Sequence, residues 1–229
     1  MKRLAAPKAL PLHDKKETTW LLRTNPGPHP KNKSIPLLVL IRDVMGLAPT
    51  MGEVRRILAE RLVLVDGVIR TQERFAVGLM DVVSFPKADK NYRIIVDSKG
   101  RLIPVEISKS ELSTKIGKVI GKTTIKGGKL RVGLHDGRNI VSDNNVHVGD
   151  SLIVGIPKTE LKKHLKLQSH ARCLITEGKH SGKIVSLKEI ISRKAGKASE
   201  ASVLDKDKTE FITVAKYLMV VDDRFGVSS

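Results

Sequence analysis

A formal charge of +18 at neutral pH, from 42 lysines and arginines against 24 acids, constrains this chain more than any other feature. A compact chain this basic repels itself unless something polyanionic neutralises it. Nucleic acid and an anionic membrane surface are the two candidate partners. A helix that lies on a membrane opposes its basic face with Trp, Phe or Leu, and the strongest amphipathic segment, "TMGEVRRILAERL", has no aromatic residue. The charge is therefore read as a nucleic-acid footprint, with neither a membrane nor a small-molecule substrate as partner. No apolar run approaches the ~18 residues of a membrane span, and the N-terminus lacks the apolar core of a secretory signal. Hydrophobic residues at 40% suffice for packed cores. The single cysteine, Cys173, allows no intramolecular disulfide, which fits a reducing compartment.

Composition divides the chain into four blocks. Residues 1–35, an arm with five of the ten prolines, carry a net +6; residues 36–100 carry +2, residues 101–168 +7 and residues 169–229 +3. The arm has no sustained helical or alternating period, and its "NPGPHPKNK" tract favours extended and turn conformations. It is expected to be mobile in the free protein and to order on RNA, with Lys2, Arg3, Lys8, Lys31 and Lys33 on phosphates. Leu4, Trp20, Leu21 and Leu22 imply some docking.

The second block predicts helix, helix, hairpin. "SIPLLVLIRDVMGLA" starts with Ser34 as cap and Pro36 in the first turn, where its missing N–H costs little. "TMGEVRRILAERL" opens with Thr50 and Glu53 in capping-box spacing. At ~100° per residue Val54, Ile57 and Leu58 share one face, with Arg55 and Arg56 opposite. In "LVLVDGVIRT" Asp66-Gly67 between β-branched runs predicts a two-residue hairpin, and "VGLMDVVSF" a further strand. Guanidinium groups suit the phosphates of a folded RNA, so Arg55, Arg56, Arg61 and Arg70 are the leading candidates, with Arg42 and Arg74 beside them.

These segments carry a resemblance. "VRRILAERLVLVDGVIRTQERFAVGLMDVV" is similar to the alpha-L, or S4-type, RNA-binding motif of two helices and a hairpin. "KRLAAPKALPL", "NPGPHPKNKSIPL" and "VDGVIRT…VGLMDVVSF" together resemble the archaeal and eukaryotic S4e family of small-subunit ribosomal proteins, over essentially the whole chain. The resemblance implies a structural, non-enzymatic component of the cytoplasmic ribosome. Its partners would be small-subunit ribosomal RNA and neighbouring ribosomal proteins, with no cofactor.

The third block reads as short strands, "RLIPVEI", "KVIGKTTI", "KLRVGL", "NIVSD" and "SLIVGI", bounded by Gly, Asp, Asn and Lys. Lys115, Lys118, Lys122 and Lys126, with Arg138 beside the Asp136-Gly137 turn, resemble the central domain of the S4e family and would line an RNA backbone. Edge-strand lysines that block aggregation give the same pattern. In the fourth block "ARCLITEGKHSGKIVSL" reads as strand, turn, strand, with Gly178 and Gly182 free to take φ > 0 and Lys179 and Lys183 flanking the turn. It resembles the KOW motif of small SH3-like barrels. Val185 stands where that family has a third glycine, so the turn is expected to differ locally. The fold class expected overall is α+β and multidomain: a basic N-terminal extension (1–35), an alpha-L domain (36–100), a β-rich central domain (101–168) and a KOW/SH3-like barrel (169–229).

Catalytic patterns fail on spacing. "GKVIGKTT" has three residues between its glycines where a phosphate loop needs four. "DKDKTEF" places Glu210 where a calcium loop requires glycine. His164 and His170 are six apart and His13 and His29 sixteen apart, with no CxxC, so no zinc site is read; no metal and no catalytic residue are assigned. Aromatics at 3% disfavour stacking readers of single strands and favour backbone recognition. Two rival readings are an RNA-modifying enzyme of pseudouridine-synthase type, because alpha-L platforms also accompany catalytic domains, and a transcription-elongation accessory, from the KOW-like segment alone.

Overall fold

A computed structural model describes residues 1–12, 14–16, 18–125, 127–142, 145–191, 198–205, 207 and 209–222. His13 and Lys126 lie outside the described residues, as does part of "DKDKTEF". The architecture is mostly β with few helices. It divides into two compact units: Met1–Val96, Arg101–Lys115 and Gly155–Lys158 form the first, and Asp97–Gly100, Ile116–Val154 and Thr159–Ser229 the second.

The first unit is built on a buried helix. Ser34–Pro36 is not a helix cap but a strand, β1. Its antiparallel partner at Ala76–Gly78, β4, is too distant in sequence for a local pattern to reveal. Helix α1 therefore starts after Pro36, α-helical over Leu37–Val39 and widened to a π turn over Leu40–Val44. Leu37 to Ile41 are all buried, in one core with Ile35 of β1, Val54 and Leu58 of the second helix and Leu10, Leu12 and Leu21 of the arm. Helix α2, Met51–Ala59, has the expected capping box: Glu53 N donates to Thr50 Oγ1 at 3.2 Å and Thr50 N to Glu53 Oε2 at 3.4 Å. Val54 and Leu58 are buried while Arg55 and Arg56 are exposed, as the helical period requires.

Leu64–Val65 (β2) and Val68–Ile69 (β3) form the expected hairpin. Both central residues have positive φ, Asp66 at 51° and Gly67 at 74°, the geometry that matches strand twist. "VGLMDVVSF" divides into β4 and Val82–Phe85 (β5), because the chain turns at Met80, with φ 67°. With Lys90–Val96 (β6) and Leu102–Glu106 (β7), the sheet order is β3-β2-β5-β6-β7. "RLIPVEI" thus completes the sheet of the preceding block rather than opening a new one.

The arm expected to be mobile is packed. Ala6, Ala9, Leu10, Leu12 and Leu21 join the core with α1, α2 and β5. Leu102 N donates to Ala9 O at 2.8 Å, and Asn25 N to Arg74 O at 2.9 Å. The docking anticipated for Leu21 and Leu22 is seen, whereas Leu4 and Trp20 face solvent.

The second unit has two five-stranded sheets, except that Thr114, Lys115 and Gly155 at the strand ends belong to the first. Thr114–Thr124 (β8), Leu130–Leu134 (β9), Asn139–Ser142 (β10), Ser151–Gly155 (β11) and Glu160–Leu165 (β12) are ordered β10-β9-β8-β11-β12. "GKVIGKTT" lies within β8, extended rather than wrapped into a loop. Arg172–Ile175 (β13), Ile184–Ile191 (β14), Glu200–Leu204 (β15), Glu210–Val214 (β16) and Leu218–Val220 (β17) are ordered β16-β15-β14-β13-β17, every pairing antiparallel. Val185 pairs with Cys173 inside this sheet and is buried. It is a core residue of the strand and takes no part in the turn.

Candidate nucleic-acid interface

The helix α2 and the hairpin bring the leading arginines into one region of the first unit, but not in one state. Arg56, Arg61 and Arg74 are exposed. Arg55 is exposed too, yet its Nε donates to Glu73 Oε2 at 2.6 Å. The hydrogen bond and charge of Glu73 raise the Arg55 pKa, and Arg55 in turn holds the Glu73 carboxyl below its ordinary value. Arg70 is half-buried, with its guanidinium 4.4 Å from the Phe75 ring centroid. Arg42, at the end of α1, makes a two-pronged contact with Asp43 at 2.5 and 3.0 Å.

On the arm Lys2, Lys8, Lys31 and Lys33 are exposed, Lys31 and Lys33 on a single 3₁₀ turn. Arg3 is only 5% exposed, and its Nη1 donates to Thr18 Oγ1 at 2.8 Å. It fixes the arm's own fold and is withdrawn from the surface. Sequence reasoning passed over Lys15, Lys16 and Arg23, which are exposed on the same arm; the net charge of the block was the signal that included them.

In the second unit Lys122 and Lys179 are exposed. Lys118 is half-buried and its Nζ donates to the carbonyls of Lys216 and Leu218, each at 2.6 Å. Arg138 sits 3.4 Å from Asp136, and Lys183 pairs with Asp205. Arg131, on β9, is exposed and was not singled out from the sequence.

Lys115, the first of the lysine series, has a different setting. In the first unit its Nζ lies 2.8 Å from Asp66 Oδ2 and 2.5 Å from Asp81 Oδ1, with 1% of the residue exposed. His29 Nε2 is 3.0 Å from both oxygens of Asp81, and Gly78 N donates to Asp81 Oδ2 at 2.8 Å. The arm, the hairpin turn, the β4–β5 turn and the start of β8 thus meet at one buried charge cluster.

Asp150 and Cys173, two further buried titratable groups, are also engaged internally. Burial pushes Asp150 up, but the N–H groups of Leu167 and His147 and the His164 ring hold it below its ordinary value. Burial pushes the Cys173 thiol up to about 12, so it is inert as a nucleophile at neutral pH. Among the described residues no group of three or more His, Cys, Asp or Glu is placed to hold a metal ion.

Three family profiles match along the chain: the RS4NT domain over residues 1–32, the S4 domain over residues 36–83 and Ribosomal family S4e over residues 88–161. The small ribosomal subunit protein eS4 of Methanosphaera stadtmanae is 42% identical over 221 residues, spanning 96% of this chain and 91% of that protein. The chain belongs to the S4e family. The eS4 protein of Archaeoglobus fulgidus is another S4e relative, 41% identical over 96% of this chain and 92% of its own length. The crystal structure of the 30S ribosomal protein S4e from Thermoplasma acidophilum superimposes with a TM-score of 0.72 at 30% identity, covering 83% of this chain and 96% of that one. The S4 profile of this S4e chain takes in α1, α2 and the hairpin, and with them Arg42, Arg55, Arg56, Arg61 and Arg70 on these elements or beside them.

Proposed function

We propose that this S4e-family chain is a structural component of the small ribosomal subunit that binds ribosomal RNA and contacts neighbouring ribosomal proteins in cytoplasmic ribosomes. The observation that carries the reading is the exposed basic set on the S4-matched elements and arm, Arg56, Arg61, Arg74, Lys2, Lys8, Lys31 and Lys33, in a chain of net charge +18. The mechanism is neutralisation of packed RNA helices with release of counterions, which fixes their mutual orientation. Lys122 and Lys179 extend the contacts into the second unit. Arg42, Arg55, Arg70, Arg138, Lys118 and Lys183 reach RNA only by sharing or exchanging their internal partners, and Arg3 acts through the fold of the arm. We read the β13–β17 sheet, with its basic turn between Gly178 and Gly182, as an SH3-like barrel of KOW type, and the four composition blocks as extension, alpha-L domain, central domain and barrel.

No chemical step is assigned. The buried carboxyls of Asp66, Asp81 and Asp150 are engaged by Lys115, His29 and His164, which is the setting of structural rather than reacting groups. Gradient sedimentation of a lysate with dissociated subunits tests the reading. The protein is expected on the small subunit and retained there through a high-salt wash. Recovery in light fractions overturns it in favour of a transient factor or RNA-modifying enzyme.

A further inference from the structure

The chain's only tryptophan, Trp20, is 68% exposed. It is not on a loose segment. Trp20 stands in an antiparallel bridge opposite Lys2, and Arg3 N donates to Thr19 O and Leu21 N to Met1 O, each at 2.9 Å. In extended pairing successive residues alternate faces. Arg3 and Leu21 take the inner face and are buried, so Lys2 and Trp20 are turned to water. The arm buries Leu10, Leu12 and Leu21 in the core and holds its largest apolar side chain outside it. Leu4, two residues beyond Lys2, is 67% exposed.

Lys2, across the bridge from Trp20, and the other exposed cations of the arm point to what covers it. Lys2, Lys15, Lys16 and Arg23 are exposed on the same arm, and Asp14 is the one acid among its described residues. An apolar protein pocket that closed over Trp20 would strip water from the adjoining Lys2 without return. A nucleic acid offers phosphates to the cations and a π face to the indole in one ligand. Aromatic–base stacking needs no hydrogen-bond code, because every base has a π face.

We propose that Trp20 is a nucleobase-stacking site that takes one unpaired base of ribosomal RNA, with Lys2 on the adjoining phosphate. The proposal rests on the RNA-binding reading above and adds a base contact to what is otherwise backbone recognition. The low aromatic content argued against stacking as the general mode; a single indole held outward on a paired segment is a local exception.

The experiment uses the full chain and small-subunit ribosomal RNA transcribed in vitro. Because Trp20 is the only tryptophan, its emission reports the site directly, while filter binding reports total affinity. Saturable quenching that tracks the filter-binding curve is expected. Trp20→Leu is expected to weaken binding by about 5- to 140-fold, the equivalent of 1–3 kcal/mol per stacked base. Trp20→Phe, which keeps a π face, is expected to stay within a few-fold of the parent. Unchanged circular dichroism is expected of both variants, since neither removes a buried contact. Tight RNA binding with unquenched emission, or with Trp20→Leu at parental affinity, overturns the stacking site and leaves the RNA-binding reading intact. An emission change seen only in the assembled subunit, and not on RNA alone, gives the site to a protein neighbour and overturns the proposal. Failure of the parent chain to bind the RNA overturns both.

Discussion

At Lys115 an ammonium group is buried between two carboxylates, Asp66 and Asp81, with His29 on the far side of Asp81. Burial pushes the Asp81 carboxyl up, but the charges and hydrogen bonds of Lys115 and His29 outweigh it and hold Asp81 well below the usual carboxylate range. Asp66, raised by burial and by the charge of Asp81 against the pull of Lys115, moves the other way. The signs follow by linkage. The contribution of Asp81 is complete above the unfolded carboxyl value of about 3.9 and is lost as pH falls through its depressed folded value. Asp66 favours the fold at pH below the unfolded carboxyl value, and that contribution is lost as pH rises through its raised folded value. Lys115→Met removes the shared cation and leaves two buried carboxylates facing each other. It is expected to cost about 3–5 kcal/mol at neutral pH. Both carboxyls then rise, so the folded variant binds more protons than its unfolded chain, and the deficit shrinks toward pH ~5. Urea unfolding at the two pH values checks this; an equal deficit at both would assign the loss to packing rather than charge.

The turn between β13 and β14 shows what two glycines do at the scale of an element. Gly178 and Gly182 both have positive φ, 96° and 80°. A Cβ on Gly178 would meet only Tyr217 at an ordinary 3.7 Å, whereas one on Gly182 would lie 2.6 Å from the backbone carbon of Asp97. Gly178→Ala is therefore expected to cost the left-handed penalty alone, about 1–2 kcal/mol. Gly182→Ala adds a backbone clash that no rotamer relieves, and thermal melts should place it below Gly178→Ala; equal melting would remove the Asp97 approach as the reason for the second glycine. The turn itself was legible in the sequence, as were the Thr50–Glu53 capping box, the Asp66-Gly67 hairpin and the arginine face of α2, because each is written within a few residues. Ser34–Pro36 was misread as a helix start, since its true partner lies some forty residues on. Glu160–Leu165 and Glu200–Leu204 were missed because "ELKKHL" and "EASVL" lack a run of β-branched residues, and pairing to neighbouring strands recruits them. The candidate site divides the same way. Charge content is local, but whether Arg55 faces solvent alone or holds Glu73, and whether Lys115 faces RNA or a buried carboxylate, is decided by tertiary pairing.

Across the whole molecule the charge of +18 sets a salt dependence that separates exposed arginines from paired ones. Each phosphate neutralised contributes about 0.7–0.9 to the slope of log affinity against log salt. With eight to ten phosphates engaged, affinity should fall by ~10³–10⁵ between 50 and 200 mM salt. Replacing Arg56 and Arg74 with Gln, and Arg61 with Asn, removes three exposed cations from the S4-matched region. Asn suits position 61 because Arg61 has φ 58°, a conformation Asn tolerates. This variant is expected to lower the slope by roughly 2–3. Replacing Arg42, Arg55 and Arg138 with Gln removes the same formal charge from groups already engaged by Asp43, Glu73 and Asp136, and the slope should change by less than about 1. Filter binding over a salt series resolves the two variants. A common slope would mean that RNA responds to net charge alone; separate slopes would locate its phosphates on α2 and the hairpin flank.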